Sequence, residues 1–225
     1  MTPAPSAYHQ RVAEEKRALI VRAATELFLE LGYDRASLAR VADSAGVSKA
    51  TLFKQFPTKA ALFDAIVVNS WARDDPAGVP PTGDLTAGLT VLGQHYATLL
   101  SRREMTDLFR IVIAELPRFP ELAKAHFAQG KMPYFESVQR YLAAEHDAGA
   151  AHIPDPEMAA TQFLGMISNH LLWPALVLPN WTVTPARTTD VIEEAVQTMV
   201  ARYSTGRPAR RATADTSTRS SGRRQ

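Results

Sequence analysis

Between Ser37 and Phe56 the sequence SLARVADSAGVSKATLFKQF runs through one local pattern twice. Each time a serine precedes a short run with apolar residues at helical spacing, and Gly46 stands between the two runs. A serine in that place accepts a hydrogen bond from the first free amides of a helix, and a glycine readily takes the turn that ends one. The pattern predicts two short helices joined by a tight turn. The first, capped by Ser37, buries Leu38, Val41, Ala42 and Ala45. The second, capped by Ser48, anchors itself through Val47, Leu52 and Phe56 and is stopped by Pro57.

The same signals organise the rest of the chain. A helical stripe of Ile20, Ala24, Leu27, Phe28 and Leu31 predicts a helix from Arg11 to Leu31, closed by Gly32. Thr58 caps a fourth helix with Leu62, Phe63, Ile66 and Val67 inward. The Pro/Gly-rich stretch Asp74 to Asp84 marks a domain boundary. Beyond it no strand pattern is visible, and helices are expected at about 84–102, 104–115, 119–129, 131–147, 155–178 and 187–204. The expected fold is all-α in two domains, 11–75 and 84–204, with disordered ends at 1–10 and in the Arg/Ser/Thr-rich tail 205–225.

Composition narrows what such a chain does. With no cysteine, a disulfide framework, a zinc–thiolate site and a cysteine nucleophile are excluded. The most apolar run, Phe163 to Leu178, is short for a bilayer and is interrupted by Asn169, His170 and Pro174, so a soluble, cytoplasmic protein is expected. The histidines are scattered, with no pair four residues apart, and no phosphate-binding loop, nucleophile elbow or dinucleotide fingerprint occurs. No enzyme activity, cofactor or metal is expected. Charge is uneven: residues 1–59 carry nine Lys/Arg against six Asp/Glu, and residues 60–201 carry nine against sixteen. A basic first segment beside an acidic body suits a polyanionic partner.

A helical hairpin that reads DNA needs a second helix whose outer face is small or hydrogen-bonding, so that it fits a groove about 12 Å wide. Ser48, Lys49, Ala50, Thr51, Lys54 and Gln55 meet that need. Periodicity alone leaves two readings open, a solvated face and a DNA-reading face.

Residues 11–70 resemble the DNA-binding domain of the TetR family of transcriptional regulators. The resemblance is carried by AATELFLELGYDRASLARVADSAGVSKATLFKQFPTKAALFDAI, which follows the family pattern without a gap over some forty positions. It implies that Ser37 and Ser48 meet phosphates, that Lys49, Ala50 and Thr51 face base edges, and that Lys54 and Gln55 lie beside the backbone or base edges. Lys59 would clamp a phosphate, and Arg11, Lys16 and Arg17 would either add phosphate contacts or pair with Glu14 and Glu15. Three positions depart from the pattern. Ala50 stands where glycine is common, Phe53 where tyrosine is usual, and Gln55 where histidine is usual; without the hydroxyl, Phe53 packs but loses a phosphate contact.

The segment LFRIVIAELPRFPELAKAHFAQG, Leu108 to Gly130, is similar to the AefR-like group of regulatory C-terminal domains. This resemblance implies a ligand-sensing, dimerising second domain, a palindromic operator and an unidentified small-molecule inducer. Residues expected to meet that ligand are Phe109, Phe127, Met132, Phe135, Met166, Asn169, His170 and Trp173, with plain core packing the alternative for each. The helix at 155–178 is apolar nearly all round, and the last helix sets Val191, Ala195 and Thr198 beside Ile192, Val196 and Met199. Two such doubled faces per subunit predict a four-helix, two-fold dimer interface. Together the residues and the resemblance point to a DNA-binding repressor released by an inducer. A ligand-independent DNA-binding protein and an all-α enzyme are the rivals.

Overall fold

A computed structural model describes residues 7–72, 79–178 and 180–205. Eleven α-helices and one π-helical turn make up the fold among these residues, and no strand longer than a single bridge occurs. The chain is all-α, with a helix-turn-helix at its N-terminal end and a larger helical body after it.

The first unit contains α1 (Ala7–Leu31), α2 (Leu38–Ser44), α3 (Lys49–Gln55) and α4 (Lys59–Trp71). Local chemistry sets the starts of the last three. Ser37 Oγ accepts from the Arg40 amide at 3.3 Å, Ser48 Oγ from the Thr51 amide at 3.1 Å, and Thr58 Oγ1 from the Ala61 amide at 3.0 Å. Gly46 adopts φ +64°, the left-handed turn between α2 and α3. Ile20, Ala24, Phe28, Val41, Ala42, Leu52, Phe56, Leu62 and Phe63 form the shared core. Burying a large apolar side chain contributes about 1.5–3 kcal/mol, and this core holds two seven-residue helices that would not persist alone.

The second unit contains α5 (Leu85–Ser101), α6 (Arg103–Glu115), α7 (Pro120–Ala125), the π turn His126–Lys131, α8 (Met132–Asp147), α9 (Pro156–Leu171), α10 (Trp173–Val177) and α11 (Pro185–Tyr203). Asp84, Asp155 and Thr184 cap α5, α9 and α11. Helix α5 packs between α9 and α11, and α8 packs along α9. At the start of α5 the buried Glu145 carboxylate accepts from the Tyr141 hydroxyl at 2.6 Å and the Gly83 amide at 3.1 Å. At the end of α11, His152 N donates to Tyr203 O at 2.7 Å and tethers the α8–α9 loop.

Several expectations are corrected. The first helix begins at Ala7, four residues before the expected start. The helix expected at 119–129 is α7 followed by the π turn. The helix expected at 155–178 breaks after Leu171, and α10 resumes with Pro174 in its first turn, where a missing amide is tolerated. Helix α9 is not apolar all round: Thr161, Gln162, Gly165, Asn169 and His170 stand exposed. On α11, Val191 and Ala195 are buried within the chain and only Thr198 of that face is exposed. What remains open between α9 and α11 is a groove of about 560 Å³ lined by Met158, Gln162, Met166, Met199 and Arg202. No described helix is long and apolar enough to cross a membrane. Residues 1–6, residues 74–78 of the Asp74–Asp84 break and the tail beyond Thr205 lie outside the described residues, and with them the disorder expected at 1–6 and beyond Thr205.

Candidate nucleic-acid interface

Helix α3 divides into two faces. Leu52 and the following Phe56 are buried, and Val47 packs against the same core. Ser48, Lys49, Ala50, Phe53 and Lys54 are exposed, with Thr51 and Gln55 half-buried. The outer face thus gathers two cations, a small methyl, hydroxyls and one exposed ring, a surface that fits a major groove and reaches both phosphates and base edges. The Ser48 and Thr51 hydroxyls lie 2.8 Å apart, so the Thr51 side chain is already held in one rotamer. The Phe53 ring is 48% exposed, a large apolar group on an otherwise polar face.

Two expected DNA contacts are engaged inside the protein. Gln55 Nε2 donates to Ala13 O at 3.3 Å and ties α3 to α1. Lys59 turns inward: its ammonium donates to the Tyr33, Asp34 and Ala36 carbonyls at 2.7, 3.0 and 3.1 Å and lies 4.4 Å from the Tyr33 ring centroid. Burial lowers its pKa from the usual lysine value, against the opposing pull of Asp34 and Glu115. Of the basic residues on α1, Arg11 pairs with Glu15 at 3.7 Å and Arg17 lies 4.5 Å over the Phe56 ring, whereas Lys16 is exposed.

The residues expected to line a ligand site do not converge. Asn169 and His170 are exposed, and His170 Nε2 meets Arg187 Nη2 at 3.5 Å. Trp173 and Phe127 are 57% and 51% exposed. Met132 and Phe135 are half-buried on α8, and Met166 lines the α9–α11 groove. Phe109 alone reaches a polar centre, since its ring stands edge-on to His126 at 4.4 Å.

No sequence pattern marks that centre. His126 is 2% exposed, and neither ring nitrogen has a hydrogen-bond partner. Trp71, the last residue of α4, lies 5.7 Å from it, with its own indole Nε1 buried and unpartnered. Desolvation, with a smaller contribution from Lys131, pushes the His126 pKa down to about 4, so the imidazole is neutral at pH 7. A neutral imidazole offers one donor and one acceptor, and the indole adds a donor. Buried polar atoms without partners are uncommon in folded proteins. Here three of them cluster where α4, α6 and the π turn meet, and π turns are frequent at functional sites. In sequence His126 is one of several scattered histidines, and no spacing rule singles it out.

Comparison with known proteins gives these features a family. Residues 20–66 match the N-terminal profile of bacterial regulatory proteins of the tetR family, and residues 87–205 match the C-terminal domain of AefR-like transcriptional repressors. The chain is 32% identical over 95 residues to the uncharacterised HTH-type transcriptional regulator YdeS of Bacillus subtilis, covering 41% of this chain and 46% of that protein. It is 36% identical over 97 residues to the uncharacterised regulator Rv1556 of Mycobacterium tuberculosis, covering 43% and 46%. The match thus spans about half the length of these curated relatives. Among solved structures, the Flavonoid-responsive Regulator FrrA superposes with a TM-score of 0.69 at 29% identity, over 86% of this chain and 100% of that one. The chain belongs to the TetR family of bacterial regulatory proteins, which are transcriptional regulators, and carries an AefR-like C-terminal domain.

Proposed function

We propose that this regulator is a cytoplasmic homodimeric repressor that leaves a palindromic operator when a small molecule enters its C-terminal domain. The outward face of α3 carries the reading: Lys49, Ala50, Thr51, Phe53 and Lys54 stand clear of the core that Leu52 and Phe56 anchor. Lys49, Ala50 and Thr51 address base edges, Ser37, Ser48 and Lys54 the phosphates. The exposed sides of α9 and α11 pack on their copies across the groove between them. The two copies of α3 then sit about one helical turn of DNA apart, roughly 34 Å.

The effector is received beside Trp71, Phe109 and His126, and because α4 and the π turn are closely packed there it enters as they part. The orphaned nitrogens there support a ligand that combines an aromatic body with a hydroxyl or carbonyl group, because such a ligand satisfies them while stacking among the rings. FrrA being flavonoid-responsive makes a flavonoid the first probe for this chain. Release requires only that the ligand bind the two conformations unequally.

The test is selection of bound sequences from random DNA by the full chain, followed by binding of the Lys49→Ala/Thr51→Ala variant to the winner. A palindrome lost by that variant supports the reading. Equal binding by the variant refutes the assignment of α3. A naringenin titration that leaves operator affinity unchanged refutes the flavonoid choice alone.

A further inference from the structure

Two helices run from the Trp71–Phe109–His126 cluster to a single turn in the DNA-binding unit. Helix α4 has Trp71 at the cluster end and Lys59 at the other, where it holds the carbonyls of Tyr33, Asp34 and Ala36. Helix α6 has Phe109 against His126 and ends at Glu115. After Glu115 the chain turns through Leu116-Pro117-Arg118-Phe119-Pro120, and this corner lies on the same turn. Arg118 Nη2 meets Asp34 Oδ2 at 2.7 Å. Phe119 stands edge-on to Tyr33 at 5.1 Å. The Asp34 amide points at Glu115 Oε1 at 3.5 Å, and a Cβ on Gly32 would stand 3.0 Å from that same oxygen.

We infer that Glu115, Arg118 and Phe119 are positioning residues for DNA reading: the α6–α7 corner sets the Gly32–Ala36 turn, and through it the N-terminus of α2. The inference rests on α2 and α3 being the DNA-reading pair. Three features favour this role over plain packing. The corner is stiff, because Pro117 and Pro120 fix φ on either side and the Arg118 and Phe119 amides both donate to Glu115 O, at 3.0 and 2.8 Å. The Arg118–Asp34 pair is 63% and 38% exposed, and an ion pair that open to solvent adds little to stability while it still fixes orientation. The interface is also localised, since between Ala18 and Glu30 of α1 and Arg103 and Ala114 of α6 the two helices flank an open, charged cleft of about 1240 Å³. Tyr33 lies at the focus, edge-on to Phe28, Phe63 and Phe119 at 5.2, 5.8 and 5.1 Å. Two residues beyond Ala36 begins α2, with Ser37 as its cap. A displacement of α6 at Phe109 therefore reaches α2 without passing through α4. The AELPRFPEL segment, which distinguishes the C-terminal domain in sequence, is then a joint to the DNA-binding unit, not a lining of the effector site.

The experiment uses the full chain with Arg118→Ala, Arg118→Lys and, as a surface control of equal charge change, Arg140→Ala. Affinity is read on the operator that the unmodified chain selects, and amide hydrogen exchange is read over residues 32–40 without DNA. Arg118→Ala is expected to weaken operator binding about fivefold and to speed exchange in that window at least threefold, with the melting temperature little changed. Arg118→Lys restores both to within twofold, and Arg140→Ala changes neither. The inference is overturned if Arg118→Ala behaves as Arg140→Ala does, if Arg118→Lys rescues nothing, or if affinity falls only in step with melting temperature. Should the unmodified chain select no DNA, the DNA-reading assignment fails on its own, and the exchange arm still decides whether the corner holds the turn.

Discussion

The ammonium of Lys59 donates to the Tyr33 carbonyl at 2.7 Å while lying 4.4 Å from the Tyr33 ring centroid, so one side chain holds both the backbone and the face of the same residue. Two further carbonyls, of Asp34 and Ala36, complete its coordination. Lys59→Met keeps the stem and removes the charge. Hydrogen bonds to a charged group contribute about 1.5–3 kcal/mol, and a loss of about 2 kcal/mol is expected in chemical denaturation. The salt slope of operator binding should stay the same. A slope reduced by about 1 with unchanged stability would return Lys59 to a phosphate.

Acid should expose the burial of His126. Its folded pKa is about 4 against 6.5 in the unfolded chain, so between those values the unfolded state takes up a proton that the native state refuses. The stabilising effect is complete above pH 6.5 and is lost as the pH falls toward 4. At about 1.4 kcal/mol per pH unit, roughly 3 kcal/mol is at stake. Denaturant midpoints of the unmodified chain and His126→Phe should therefore converge in favour of the variant as pH drops from 7 to 4. Parallel curves would show that the imidazole is not held neutral.

The contact of α4 with the π turn has no room for a methyl group. A Cβ on Gly130 would lie 2.5 Å from Trp71 Cδ1 and Nε1 and 3.0 Å from Val67 Cγ1. Overpacking of this kind costs about 1–3 kcal/mol. Gly130→Ala should lower the melting temperature, and adding Trp71→Leu should recover most of the loss. Failure of the double variant to recover would mean that the strain lies in the turn's backbone.

Phe53 offers a gain of binding. Its ring is exposed on the α3 face. In Phe53→Tyr, a hydroxyl reaching a phosphate would tighten binding, roughly tenfold if one charge-assisted hydrogen bond forms. Because a phosphate carries no base identity, related operators should tighten equally in parallel titrations. A change confined to one operator would place Phe53 at a base.

Where structure is decided locally, it was legible in the sequence. Ser37, Ser48, Thr58, Gly32 and Gly46 set the ends of the first four helices through caps and turns that involve only near neighbours. The breaks inside the second domain were less visible. Pro174 warned of one, but the π turn depends on how His126 and Gly130 pack against Trp71 from a distant helix. The doubled apolar faces of 155–178 and 187–204 overstated what is left for a partner, because Val191 and Ala195 are already buried within the chain and periodicity does not say what covers a stripe. Lys59 and Gln55 show the same limit within the DNA-binding unit. Their chemistry suits phosphates, but carbonyls from elsewhere in the unit accept their hydrogen bonds, and only the fold reveals them. His126 gave no signal, since its significance is the absence of partners in three dimensions.

The tether between His152 and Tyr203 decides where this regulator accepts a handle. Glu145 draws Gly83 and the start of α5 to the end of α8, near that tether. The other end of α5 is where Arg102 meets Ala72 at the close of α4. The 17 residues between span about 25 Å. A fluorophore or purification tag attached after Thr205 thus departs from the end of the body remote from the α4 junction, and its linker has to clear the rim of the α9–α11 groove that Arg202 lines. One fused ahead of α1 begins close to Ala13, the residue that α3 grips through Gln55. For immobilising the protein or tracking it on DNA, the carboxyl end is the side to build on.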